Sequence, residues 1–143
     1  MELTINGQVY QFNFGMGFMR EMNKKVTMPV DGVKDVRKNI GLKYAVAEIM
    51  DGDIEVLVDL LDAANNGQNP RVTRDQLDGY IEDPETDIDK LFEDTLGFLK
   101  TANATKKTVA EIEKAVAEEK ERQETLKKTL EEFQKKAQSK KEQ

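Results

Sequence analysis

The dipeptide Asn6-Gly7, set between Leu3-Thr-Ile5 and Gln8-Val-Tyr-Gln-Phe12, leaves this chain little choice about how it begins. A two-residue type I′ turn needs positive φ at both central positions, and Asn and Gly tolerate that best. The turn sets the register, with Ile5 opposite Gln8 and Leu3 opposite Tyr10. Leu3, Ile5, Tyr10, Phe12 and Phe14 then share one face, while Thr4, Gln11 and Asn13 take the other. Val9 breaks the pattern. An isolated hairpin is marginal in water, so its apolar face demands a cover.

The segment that follows is the first candidate for that cover. Over residues 16–25, Met16, Phe18, Met19, Met22 and Val26 fall in one arc at the helical repeat, with Arg20, Glu21, Lys24 and Lys25 opposite. Residues 27–41, with Pro29, Gly32, Gly41 and five charges, read as a loop with one turn of helix at Val33–Asn39. Helices are expected over 42–50 and 54–65, with Asp53 as N-cap of the second. The helix 54–65 is apolar around more than half its circumference and leaves only Glu55, Asp59 and Asp62 as a polar stripe. Such a helix is either central to its own fold or covered on a second side by another subunit. Thr73-Arg-Asp-Gln76 is a capping-box pattern that opens a helix ending at Asp83-Pro84. A last compact helix starts at Thr86-Asp-Ile-Asp89 and carries Ile88, Leu91, Phe92, Thr95, Leu96, Phe98 and Leu99 on one stripe.

Charge divides the 143 residues into two parts. Residues 1–103 hold 11 Lys and Arg against 19 Asp and Glu, and contain all nine Gly and all three Pro; residues 104–143 hold 11 bases against 9 acids. The expected organisation is therefore a globular hairpin-plus-helices domain over 1–103 and a charged C-terminal tail over 104–143. The fold class is mainly α with a small N-terminal β-hairpin, that is, α+β. In the tail, Glu118/Arg122, Glu124/Lys128, Glu131/Lys135 and Glu132/Lys136 are (i, i+4) pairs, each worth ~0.2–0.5 kcal/mol to a helix. A heptad seam runs through Val109, Ile112, Val116, Leu126, Leu130 and Phe133, interrupted by Glu119 and Gln123. Three readings of the tail stay open: a solvated helix, a coiled coil or partner-packed helix, and disordered chain.

The absence of Cys and His removes thiolate nucleophiles, disulfides, zinc-thiolate sites and the commonest general base. The acidic balance, a formal net charge of -6, argues against nucleic acid. No apolar run approaches membrane length, so a cytoplasmic protein without a membrane partner is expected. Asp51, Asp53 and Glu55, and again Asp83, Glu85, Asp87 and Asp89, alternate like the opening of an EF-hand loop. Each set lacks the glycine at the sharp turn, where Val56 and Ile88 stand. Gly15-Met-Gly17 lies between strand and helix without the third glycine or the Lys-Ser/Thr of a phosphate loop. No catalytic residue, cofactor or metal is therefore assigned, and the chain is read as a non-enzyme. The candidate partner-binding residues are Met16, Met19 and Met22, since Met fills cores and also lines adaptable binding surfaces, and Val56, Leu57 and Leu60 on the over-apolar helix.

In order along the chain, "LTINGQVYQFNFGMGFMREMNKK", "GDIEVLVDLLDAA", "PRVTRDQLDGYIED" and "DIDKLFEDTLGFLKTANATKK" resemble the tail assembly chaperones of siphophages and prophages of Gram-positive bacteria, over about residues 1–107. The resemblance implies a mostly helical protein of virion morphogenesis, present in the host cytoplasm and absent from the finished particle. It implies that the protein coats the tape measure protein, helps recruit tail tube protein and forms a homo-oligomeric ring or spiral. The family also makes frameshifted longer products, which draws attention to the codons of Lys140-Lys141; a non-slippery codon pair there would sink that expectation. The rival reading is a structural or adaptor protein that oligomerises through a C-terminal coiled coil.

Overall fold

The computed structural model describes residues 1–141; residues 142 and 143, the last of the expected tail, lie outside them. The chain clusters into two compact units, 1–110 and 111–143. Among the described residues it forms six helices and two separate two-stranded antiparallel hairpins, a mainly α fold with the N-terminal hairpin expected from sequence.

Strands β1 (Glu2–Ile5) and β2 (Gln8–Gln11) pair with Leu3 opposite Tyr10 and Ile5 opposite Gln8. Asn6 and Gly7 take φ of 51° and 78°, the left-handed pair that the turn chemistry requires. Ile5, Tyr10, Phe12 and Phe14 are buried and Val9 is exposed, so the odd residue of the pattern is the one left to solvent. The cover arrives as helices. Helix α1 (Met16–Lys24) buries Phe18 and Met22, α2 (Gly41–Met50) buries Leu42, Ala45, Val46 and Ile49, and α3 (Ile54–Asn65) buries eight of its twelve residues. Helix α3 is thus central to its own unit. Its Leu57, Leu60 and Leu61 are wholly inaccessible, each contributing ~1.5–3 kcal/mol relative to exposure.

Helix α4 (Arg74–Glu82) starts on the capping box read from sequence: the Gln76 backbone N–H donates to the Thr73 hydroxyl at 3.1 Å, and the Thr73 N–H donates to Gln76 Oε1 at 2.9 Å. Thr73→Ala removes half of this reciprocal pair and is expected to cost about 1 kcal/mol. Urea unfolding should show it as a lower midpoint at unchanged slope. Helix α5 (Ile88–Thr101) is capped by Asp87, whose carboxylate accepts from the Lys90 N–H at 3.1 Å. Helix α6 (Lys106–Lys141) opens in the first unit, where Thr105 and Val109 are buried. It accounts for every described residue of the second unit, all of which are exposed except the half-buried Ile112.

One segment departs from its sequence reading. Residues 27–39 are not a loop with a helical turn but a second hairpin, β3 (Thr27–Pro29) and β4 (Arg37–Asn39), with Met28 opposite Lys38. Every residue of both strands is exposed. A ribbon with no buried face shows no clean apolar alternation, and that removes the signal by which a strand is recognised. The turn chemistry was nevertheless present, in Asp31-Gly32 between Val30 and Val36; the Val30 N–H donates to the Val36 carbonyl at 3.0 Å.

Candidate functional site

The residues proposed from sequence for partner binding separate once the chain is folded. On α1, Met16 is exposed, Met19 is half-buried, and Met22 is only 2% exposed. The methionine arc is therefore a gradient from solvent to core, and Met19 Sδ accepts from Asn23 Nδ2 at 3.0 Å. On α3, Val56, Leu57 and Leu60 are buried inside the unit and offer a partner no free surface in this fold. Of the C-terminal seam, Val109 belongs to the core of the first unit and Ile112 is half-buried. Val116, Leu126, Leu130 and Phe133 are exposed, Phe133 at 72%.

Apart from Ile54 at its start, the exposed apolar residues thus lie elsewhere than on α3. Leu126, Leu130 and Phe133, continued by Ala137, recur at helical spacing on one stripe of α6, surrounded by Lys, Glu and Gln. In the first unit Phe98 is 44% exposed, although the periodicity of α5 puts it on the inner stripe. Its ring lies 6.3 Å from that of Phe14, which in turn meets Phe18 edge-on at 5.1 Å. Phe98 lines a cleft of about 450 Å³ with Met1, Phe12, Phe14 and Ala102. Phe98 is a position that periodicity alone misplaces, because the stripe of α5 is wider than the surface available to cover it.

Electrostatics tie the acidic stripe of α3 into the fold. Arg74 donates to Asp59 at 2.7 Å, and Arg71 donates to Asp62 at 2.9 Å. The hydrogen bond to Asp59, aided by the charges of Asp59, Asp62 and Asp78, raises the Arg74 guanidinium above its ordinary value despite partial burial. These acids look like a solvated stripe in sequence. In the fold, two of them fasten the start of α4 to α3.

Sequence reading also passed over Asn65, the last residue of α3, which is fully buried. Its Nδ2 donates to the Gln11 and Pro70 carbonyls at 2.9 and 3.4 Å, and its Oδ1 accepts from the Val72 N–H at 2.7 Å and from Arg71 at 2.9 Å. An Asn within a turn cluster carries no sign that it will be enclosed.

Among the described residues no cluster of three or more acids has the geometry of a metal site, and no helix is long and apolar enough to cross a membrane. The apolar stripe of α6 and the mixed cleft at Phe98, which Gln11, Asn13, Gln68 and Thr101 also line, are surfaces of a kind suited to protein contacts. A family model described as "Phage tail assembly chaperone protein, TAC" matches residues 2–114. No curated protein and no solved structure gives a significant match.

Proposed function

Because this chain belongs to the phage tail assembly chaperone family, we propose that it binds and coats the tape measure protein in the host cytoplasm and helps recruit tail tube protein. In this reading the chaperone self-associates as a ring or spiral and leaves before the virion is complete. Family membership points to a non-enzymatic role and to tail proteins as partners.

The observation that carries the reading beyond the family is the exposed stripe Leu126, Leu130 and Phe133 on α6. A helical client can lay its own apolar face along such a stripe, with anchors at i, i+4 and i+7. The surrounding Lys and Glu keep the free helix solvated while making few demands on client sequence. Client contact is accordingly assigned to Leu126, Leu130 and Phe133, with Met16 and Phe98 as further apolar contacts on the first unit. The adaptor reading draws on the same stripe but uses it for self-pairing.

One set of substitutions separates the two. Full-length chain carrying Leu126→Glu, Leu130→Glu and Phe133→Glu should keep the wild-type Tm to within a few degrees, because exposed positions away from packing seldom matter by more than about 0.5 kcal/mol each. It should lose capture of co-expressed tape measure protein while retaining its own assembled mass by light scattering. Undiminished capture would overturn the assignment of the client stripe. Collapse of the assembled mass to a monomer would favour the coiled-coil adaptor.

A further inference from the structure

The exposed ribbon β3–β4 and a groove beside β1 carry opposite charge, and each includes apolar side chains. Residues 24–38 contain Lys24, Lys25, Lys34, Arg37 and Lys38 against Asp31 and Asp35. Lys24 and Lys25 close α1, and the ribbon itself, residues 27–39, holds Lys34, Arg37 and Lys38 against Asp31 and Asp35, a slightly basic segment in an otherwise acidic unit. It also exposes Met28, Val33 and Val36. A two-stranded hairpin with no covered face is marginal by itself, and its outer edges present unpaired backbone groups to any strand that approaches.

The groove is about 510 Å³. It lies between β1 and the α4–α5 connection, with Leu3, Tyr80 and Leu91 as its apolar lining. Glu2, Asp83, Glu85, Asp87 and Asp94 share the lining, against Lys90. A second cleft of about 350 Å³ shares Thr4, Tyr80 and Asp83 with it and adds Asp75, so the acidic lining continues along β1. Strand β1 pairs only with β2 and is therefore an edge strand. The ribbon does not fill the groove of its own chain, since every residue of both strands is exposed.

We propose that the ribbon β3–β4 of one copy docks in the acidic groove along β1 of a second copy, its Lys34 and Lys38 set against Glu85 and Asp94. Main-chain pairing at the open edge of β1 adds a sequence-independent contribution, and Met28 and Val36 cover Leu3 and Tyr80. Donor and acceptor are different surfaces of the same chain, so the contact is head-to-tail and repeats from copy to copy, closing as a ring or continuing as a spiral. The inference rests on the self-association part of the proposed function and supplies its interface.

Charge reversal on each side, and on both together, tests it with the full chain. Lys34→Glu/Lys38→Glu and Glu85→Lys/Asp94→Lys change exposed side chains that cap no helix, and far-UV circular dichroism should match wild type. Wild type should sediment as an assembly, and each variant alone should sediment near the 16.3 kDa monomer. An equimolar mixture should recover the assembled mass, because an acidic ribbon then meets a basic groove and the unaltered surfaces also match. Raising salt from ~0.1 M to ~1 M, which shortens the screening length from about 10 Å to about 3 Å, should weaken the wild-type assembly. Either variant keeping the wild-type mass, or a mixture that stays monomeric, overturns the interface while leaving client binding by α6 to its own test. A monomeric wild type overturns both the interface and the self-association on which it rests.

Discussion

Gly41→Ala should unfold this protein more readily than any surface substitution, with a loss of about 3 kcal/mol or more and a fall in Tm of roughly 10 °C. A Cβ at Gly41 would land on the carbonyl oxygen of Met22 and within 2.7 Å of its carbonyl carbon, with the carbonyl carbon of Asn23 at 3.2 Å. These are backbone atoms, so no rotamer change relieves the overlap. Relief requires α1 and α2 to move apart just where the Leu42 N–H donates to Asn23 Oδ1 at 3.2 Å. The glycine is needed for close approach of two chain segments and not for a left-handed torsion. Gly79→Ala and Gly97→Ala are the controls. Both sit inside helices with nothing within 4 Å of the added carbon, and each should stabilise by roughly 0.5–1 kcal/mol through helix propensity. Thermal unfolding followed by circular dichroism checks all three. A Gly41→Ala protein as stable as wild type would show that α1 and α2 do not approach as described.

Asn65→Ala should have the second largest effect, a loss of about 3 kcal/mol measured as a lower urea midpoint at similar slope. The side chain is enclosed and uses both ends, donating to the Gln11 carbonyl and accepting from the Val72 N–H. Truncation strands the buried Val72 N–H and the partly buried Gln11 carbonyl, and a buried polar group left unmet loses its full solvation. Asn65→Asp tests the donor half separately. It keeps acceptors for Val72 and Arg71 but turns an oxygen toward the Gln11 and Pro70 carbonyls. It should therefore also destabilise, chiefly at the joint between α3 and β2, where the shorter of the two donated bonds is lost. If Asn65→Asp matched wild type, the hydrogen bond to Gln11 would contribute nothing.

The two residues illustrate what sequence could and could not reveal. The turn at Asn6-Gly7, the capping box at Thr73 and Gln76, and the limits of α3 were legible because each depends on torsions and hydrogen bonds within a few residues. Gly41 and Asn65 were not. One lay in a segment read as loop and the other at the edge of a turn cluster, and the demands on both come from chain that is distant in sequence. The methionine arc of α1 was legible as a face, but the division between exposed Met16 and core Met22 depends on where α2 and α3 lie. The same holds for α3 itself, whose apolar excess was compatible with a second subunit until the hairpin, α1, α2 and α4 were seen to surround it. The ribbon β3–β4 escaped for the opposite reason, having no buried face to write a pattern.

Local physics therefore determined the first hairpin and most helix boundaries. The run of hydrophobic residues and turns was also enough to place the chain in its family. Only the tertiary structure decided which apolar residues are used up in the core, among them Met22, Val56, Leu57, Leu60 and Val109, and which stay exposed, among them Met16, Phe98, Leu126, Leu130 and Phe133. Periodicity states which residues share a face of one element, whereas burial depends on what other elements bring to that face.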